Sequence, residues 1–352
     1  MLIHAEPLTR FAAAITEAAG SLPAEAQEVA THLVEANLKG HDSHGVGMIP
    51  HYVRNIRAGL LKPNRHARRV SETGSIAVFD GDMGYGQVIA REATDWAIAK
   101  AKATGLSAFA LRNTHHVARV GTYGEQAAAQ GLVSIHFVNV RLAPGRVAPF
   151  GGIKGRYGTD PVCITFPGTE KLPPVVLDFA TSKVAAGKLR VALNEGKHMP
   201  DGMLIDAQGN DATDPAVFYR ANGSMLPFGE HKGSGLALAC ELLAGVLTGG
   251  GAMQAQFPNE GVKNGMFSIV IDPARFGDRA WMEEEMEAHI GWVKSSPPRP
   301  GVDTVMIAGD PERRSRQKRI ETGIPIDATS WGELVEAAGT VGLPRAEIPV
   351  QG

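Results

Sequence analysis

The sequence predicts a mixed α/β protein of the non-Rossmann kind, with a helical lobe at the N-terminus and a centre in which strands and helices alternate. Three observations carry this reading. Residues 9–19 and 24–38 each place apolar side chains at helical spacing and end near a glycine, Gly20 and Gly40. From about residue 75 the pattern changes to short apolar runs separated by amphipathic stretches and turn residues. No Gly-x-Gly-x-x-Gly follows a strand: Gly81-Asp82-Met83-Gly84-Tyr85-Gly86 has its glycines in another order and reads as a turn before a helix.

In chain order, 75–79 reads as a strand and 87–102 as an amphipathic helix closing near Gly105, with strands at 106–111 and 132–140. Further strands are expected at 162–166, 174–178, 202–206 and 266–271, and helices at 181–193, 234–247 and 278–294. Pro297, Pro298 and Pro300 mark a break, followed by a short strand, a basic helix and a last helix over 330–339. The expected division is a helical lobe over 1–74, a mixed sheet and helix domain over 75–299, and a segment over 300–352 that packs back on the helical lobe. There is no internal repeat and no low-complexity segment.

The 352 residues include 35 basic and 37 acidic ones, a formal charge of -2, which leaves no overall field for a nucleic acid or an anionic membrane surface. Small molecules are the expected partners. Cys163 and Cys240 are the only cysteines, too few for a disulfide framework, and both sit in apolar surroundings. The first residues have neither a basic head nor an apolar stretch of signal length, so a cytoplasmic protein is expected.

Two histidine motifs stand out. His41-Asp42-Ser43-His44-Gly45 follows the second helix and sets an imidazole beside a hydroxyl, and His115-His116 follows an apolar strand. Imidazole titrates near neutrality, so both placements suit proton transfer on a small molecule, although a loop histidine commonly serves only as a cap or a surface group. His41, His44 and His51 lack the glutamate and spacing of a helical zinc site, and no metal is expected. Other segments suit phosphate: the turn Gly158-Thr159-Asp160-Pro161, the passage Asp178-Phe179-Ala180-Thr181-Ser182-Lys183, and His231-Lys232-Gly233-Ser234-Gly235 at the head of an apolar helix. Ordinary helix caps would look the same. Arg313 to Arg319 holds five basic residues in seven, which reads as a solvated helix face or as a partner for a pyrophosphate or a ribose phosphate.

Taken together and in order, these segments resemble the malate/L-lactate dehydrogenase family that lacks the Rossmann fold, a family that also holds ureidoglycolate dehydrogenase, diketogulonate reductase and piperideine-2-carboxylate reductase. The resemblance rests on Asp42-Ser43-His44-Gly45 with Tyr52, Asn113-Thr114-His115-His116, Val147 to Gly152, Gly158 to Pro161, Leu177 to Ser182, Lys232-Gly233 and Gly323-Ile324. Ser43 to Pro50 and Glu230 to Gly233 bring the chain nearest to the hydroxycarboxylate dehydrogenase branch.

The resemblance implies a homodimer, a largely antiparallel cofactor-binding sheet, a helical lobe shared by the two chain ends, and reversible reduction of a 2-oxo acid by NADH or NADPH. It implies that His44 gives the proton, oriented by Ser43 or Asp178, with His116 polarising the carbonyl or exchanging roles with it. Tyr52, Met48 and Arg141 fall on the substrate side. Thr159, Asp160, Asp178, Thr181, Ser182, Lys183, Lys232, Gly233, Gly309 and Asp310 fall on the cofactor side. Many relatives carry arginine where this chain has Met48, so a substrate carboxylate needs another cation, from among Arg141, Arg119 and Arg54, or else the pocket takes a bulkier apolar side chain. Lys183 or Arg313-Arg314 would meet a 2′-phosphate if the cofactor is NADP. Two other readings stay open: an NADPH-dependent cyclic imine or diketo-acid reductase of the same family, and a metal-dependent hydrolase or lyase on His41, His44, His115 and His116.

Overall fold

A computed structural model describes residues 1–142, 144–255 and 261–344. The chain opens with β1 (Leu2–Ile3), α1 (Ala5–Ala18) and α2 (Pro23–Leu38), two 3₁₀ turns over Asp42–His44 and Val46–Met48, and α3 (Ile49–Arg57). β2 (Arg68–Thr73) and β3 (Ile76–Asp80) lead to α4 (Gly86–Thr104), β4 (Leu106–Thr114), α5 (Gly121–Ala128) and β5 (Val133–Arg141). Next come β6 (Val162–Phe166), β7 (Val175–Phe179), α6 (Ala186–Asn194), and a small unit of β8 (Leu204–Ile205), β9 (Asp211–Ala212), α7 (Ala216–Arg220) and β10 (Ser224–Met225). α8 (His231–Cys240) runs into a π-helical segment, Glu241–Leu247. The remainder is β11 (Lys263–Ile271), α9 (Arg279–Lys294), α10 (Asp310–Thr322), β12 (Ile324–Pro325) and α11 (Ala328–Thr340).

Seven strands form the main sheet in the order β2-β3-β4-β11-β5-β6-β7, and every neighbouring pair is antiparallel except β3 with β4. That exception has a local cause: α4 carries the chain back over the sheet, and a helical crossover returns the next strand in the same direction. α4 lies on the sheet through a stripe of small residues, Ala90, Ala93, Ala97 and Ala101, which lets it sit close over Phe79, Phe109 and Leu111. Its last turn is closed by Gly105 at φ +91°. The sheet is largely antiparallel, as expected.

The two chain ends share one core. Ile324, Ile326, Leu334, Ala337 and Ala338 pack with Leu8, Phe11, Ile15, Leu33 and Tyr52, and β1 pairs with β12. The basic helix α10 is not a uniformly solvated face. Arg313, Arg316 and Arg319 recur every third residue on one side and bind the Pro174 carbonyl, the Glu35 carboxylate and the Asp42 carboxylate in turn.

Several expectations shift. The helix placed at 181–193 begins only at Ala186, because Thr181 and Lys183 are tied by their backbone N–H groups to the carbonyls of Thr159 and Leu226. The strand expected at 202–206 shrinks to two residues of a three-stranded unit. No strand precedes the basic helix among the described residues; the short strand follows it, as β12. β1, β2, α3, α5, β9, α7 and β10 were not anticipated. β2 is exposed along its whole length and pairs only with β3, so it carries no apolar alternation. α3 and α5 are short, and glycines at 121 and 124 blur the pattern of α5.

Buried histidines make this fold acid-sensitive. His32 and His136 are each pushed down to about 3, chiefly by burial, and His136 sits between the hydroxyls of Ser268 and Ser134 at 2.8 and 2.9 Å. An imidazole that ionises at 6.5 when unfolded but at about 3 when folded takes up its proton first in the unfolded chain, so the stability present above 6.5 is lost as pH falls towards 3. The melting temperature followed by circular dichroism should be level near neutrality and fall steadily below about pH 6, and His136→Gln should flatten that slope; a melting temperature independent of pH down to about 4 would contradict it.

Candidate active site

The turn after α2 is built around Asn37. Its amide nitrogen donates to Asp42 at 2.7 Å, and its carbonyl oxygen accepts from the Val46 N–H at 2.8 Å. Gly45 has to be glycine here, because a Cβ would collide with the Asn37 amide. Arg319 from α10 closes the turn from outside with paired bonds to Asp42 at 2.7 and 2.9 Å. This clasp holds Ser43 and His44 in a single 3₁₀ turn, where the Ser43 hydroxyl lies 2.8 Å from His44 Nδ1.

The second histidine arrives from the other half of the molecule. His116 follows β4, and its ring stacks against His44 at 5.5 Å between centroids and 19° between planes. Tyr52 on α3 reaches His116 Nδ1 at 2.8 Å, and Gln87 on α4 donates to the same tyrosine oxygen at 2.9 Å. Gln87 fills one acceptor site of that oxygen and leaves the tyrosine proton free for Nδ1, the arrangement in which His116 carries its N–H on Nε2. The sequence reading put His44, His116, Ser43 and Tyr52 in one site, and the fold brings all four together. It did not find Gln87, whose only mark is a polar residue on the buried face of α4.

Both imidazoles are neutral at rest. Burial, then the neighbouring His41 and Arg119, pushes His44 down to about 4, and burial with the surrounding histidines puts His116 well below its ordinary value. Burial and His51 lower His115 to about 3, and Asn55 donates to its Nε2 at 2.8 Å. Among the described residues no three histidine, cysteine, aspartate or glutamate side chains gather as metal ligands, so the metal-centred alternative gains no support from the geometry.

Asp178 takes a different place from the one expected. It accepts from the Gly121 N–H at 2.8 Å and faces Arg119 at 3.6 Å, while Arg119 also meets Glu125 at 3.0 Å. Of the two orienting residues that the sequence offered, Ser43 makes the contact with His44 Nδ1, and Asp178 lies with Arg119 and Gly121. Burial raises Asp178 against the pull of Arg119. Arg119 itself is committed to these carboxylates, and Arg141 binds the Gly250 carbonyl. Met48 adjoins the core of the helical lobe, and Arg54 is exposed.

On the cofactor side, Thr181 donates through both its N–H and its hydroxyl to the Thr159 carbonyl, Phe228 donates to the Thr181 carbonyl, and Gly233 donates to the Phe228 carbonyl. Gly233 must lack a side chain, since a Cβ would strike that Phe228 carbonyl. Thr159, Thr181, Ser182, Lys183, Lys232 and Gly233 thus form one hydrogen-bonded ledge with two exposed lysines on it, which suits an anionic dinucleotide. Two members of the expected set point elsewhere. Asp160 is fully buried, accepts from the Val140 N–H at 2.9 Å, and is raised well above its ordinary value by burial and by Glu241, so its carboxyl belongs to the core. Asp310 is held by Lys294 at 2.8 Å and Arg313 at 2.6 Å, beside Gly309, whose φ is +92°.

A model of the family described as malate/L-lactate dehydrogenase matches residues 3–335. Hydroxycarboxylate dehydrogenase B of Escherichia coli strain K12 is 44% identical over 97% of this chain and 94% of its own length. An L-lactate dehydrogenase of Cupriavidus necator is 39% identical over 94% of this chain and 95% of its own. A solved Escherichia coli structure assigned as a malate/lactate dehydrogenase superposes with a TM-score of 0.94 at 43% identity, covering 99% of this chain and 97% of that one. With a site that can move a proton on and off a substrate oxygen, and with this breadth of likeness, the chain belongs to the malate/L-lactate dehydrogenase family: it is an oxidoreductase of small 2-hydroxy and 2-oxo acids that works with a nicotinamide cofactor.

Proposed function

We propose that His44 and His116 act as the acid and base pair of a hydroxycarboxylate dehydrogenase, with the substrate oxygen held between them. The observation that carries this reading is the stacked pair itself, two neutral imidazoles 5.5 Å apart, each with one nitrogen already engaged by a hydroxyl. In the oxidising direction His44 takes the hydroxyl proton as the carbonyl forms. In the reducing direction it returns that proton to the oxygen, which would otherwise carry a developing negative charge. His116 offers its Nε2–H to the same oxygen, a role open to it in the tautomer whose Nδ1 accepts from Tyr52. The bound nicotinamide supplies or receives the hydride. Residues of the Thr159, Thr181 to Lys183 and Lys232-Gly233 ledge would hold it. Both NAD and NADP are candidates, and Lys183 or the exposed Arg314 would answer a 2′-phosphate. Met48, an uncharged side chain next to the catalytic turn, favours acids with an apolar side chain. We place this reaction in the cytoplasm, in keeping with two free, buried cysteines.

The pair is proposed to work in a homodimer. Leu238, Leu242, Val246 and Leu247, on α8 and the π segment that continues it, are 48 to 60% exposed, an apolar strip of the kind that a second subunit covers. Light scattering should give the mass of two chains, and Leu242→Glu should reduce it to one; a monomeric wild type would remove this part of the reading.

Absorbance at the reduced-nicotinamide band, with NADH and NADPH offered separately against pyruvate, oxaloacetate, 2-oxoglutarate, phenylpyruvate, a cyclic imine acid and diketogulonate, should show one pairing well above the rest. His44→Asn and His116→Asn should each lower kcat by about 10² to 10⁴-fold while cofactor binding persists. Full activity in both variants would sink the mechanism.

The pH profile follows from the neutral imidazoles. A base that ionises at about 4 stays ready through neutrality, so kcat/KM for hydroxy-acid oxidation should hold level between about pH 8 and 6 and fall only as pH approaches 4. Reduction needs the protonated form, so its kcat/KM should rise as pH falls over the same range. An oxidation limb that breaks near 6.5 or above would contradict the buried placement of His44.

A further inference from the structure

We infer that Arg190, supported by Arg146, binds the carboxylate of the substrate, an assignment that rests on the acid and base reading of His44 and His116. The first turn of α6 lies directly on the catalytic turn: a Cβ on Gly187 would collide with Ser43. One turn further along, Arg190 Nη2 comes within 2.9 Å of where a Cβ on Gly47 would stand. The end of the guanidinium therefore rests beside Gly47, three residues beyond His44.

Among the described residues no carboxylate forms an ion pair with this cation. Arg190 Nε is buried without a hydrogen-bond partner, and among the described residues neither Arg190 nor Arg146 makes an ion pair. The acid that senses Arg190, Asp327, is occupied in capping α11 through the Ser330 N–H at 2.9 Å. Arg146 stands over the Phe218 ring at 5.3 Å and is lowered by burial, the mark of a guanidinium taken out of water without compensation. Burial and Arg54 lower His51 first, and both arginines add to that effect; both also bear on Tyr219, whose hydroxyl donates to the Ala186 carbonyl at 2.6 Å. The His51 ring is 6.2 Å from that of His115, the neighbour of His116, so the pair borders the same cluster from the side of α6.

A desolvated guanidinium without a partner is costly and persists where an arriving anion completes it. Its planar fork matches a carboxylate through two parallel hydrogen bonds. The other cations near the site are engaged or exposed: Arg119 is paired with Glu125 and Asp178, Arg141 binds the Gly250 carbonyl, and Arg54, which also bears on His51, lies in solvent. A 2-oxo acid with its oxygen between the two catalytic imidazoles would thus point its carboxylate at α6.

The test compares wild type, Arg190→Gln and Arg190→Lys on the preferred 2-oxo acid and on its neutral primary amide, with NADH or NADPH binding followed by fluorescence. Arg190→Gln should raise KM for the acid on the order of 100-fold, with a smaller change in kcat, an unchanged KM for the amide and unchanged cofactor binding; Arg190→Lys should recover part of the loss. An unchanged KM for the acid, or equal losses on acid and amide, would overturn the assignment. Calorimetric titration of oxalate separates this idea from the catalytic reading. If the wild type turned over no 2-oxo acid, weaker oxalate binding by Arg190→Gln would still support the anion subsite, and equal binding would overturn it.

Discussion

The active site depends on one side chain that does no chemistry. Asn37, at the end of α2, uses its amide nitrogen on Asp42 and its amide oxygen on the Val46 N–H, and so spans the turn that carries Ser43 and His44. A buried amide with both ends engaged is stiff, since releasing either end strands a polar group in the core. Gly45 supplies the space, and Arg319 supplies the opposing charge from a helix near the other end of the chain. The catalytic turn is thereby fastened to both chain ends, and the helical lobe and the C-terminal segment become one scaffold for His44.

Around this scaffold the protein arranges cations and keeps its imidazoles uncharged. His32, His44, His115 and His116 all lie below their ordinary range, first through burial and then through their neighbours. Arg119 contributes to that pressure on His44 and His32, and its own charge is balanced by Glu125 and Asp178. An anionic substrate entering such a site brings the missing negative charge with it. In the proposed mechanism that charge would also make protonation of a nearby imidazole easier, which would couple binding to the proton step.

The main sheet and most long helices were legible because their apolar periodicity is dictated by burial on one face, as in α4 with its alanine stripe and in β4 and β5. The exposed β2, the two-residue strands and the late start of α6 were not, since neighbours rather than local pattern decide them. The same division runs through the site. Ser43, His44, Tyr52 and His116 stand in recognisable segments, whereas Gln87, Asn37, Arg146 and Arg190 look like ordinary helix or loop residues until the fold sets them beside one another.

By itself the sequence determined the family and the class of reaction, and it pointed to the two histidines proposed to serve it, because those reside in short segments whose residue types the chemistry requires. It also carried the near balance of 35 basic and 37 acidic residues, which leaves no overall field for a polyanion. Tertiary structure decided what each polar group is free to do. It turned Asp160 into the core, gave Asp178 to Arg119 and Gly121, spent the basic helix on Glu35 and Asp42, and left Arg190 beside Gly47 with no ion pair among the described residues. The physical reason is that a charge or hydrogen-bonding group acts according to its partners and its distance from water, and both are fixed by elements far apart in the chain.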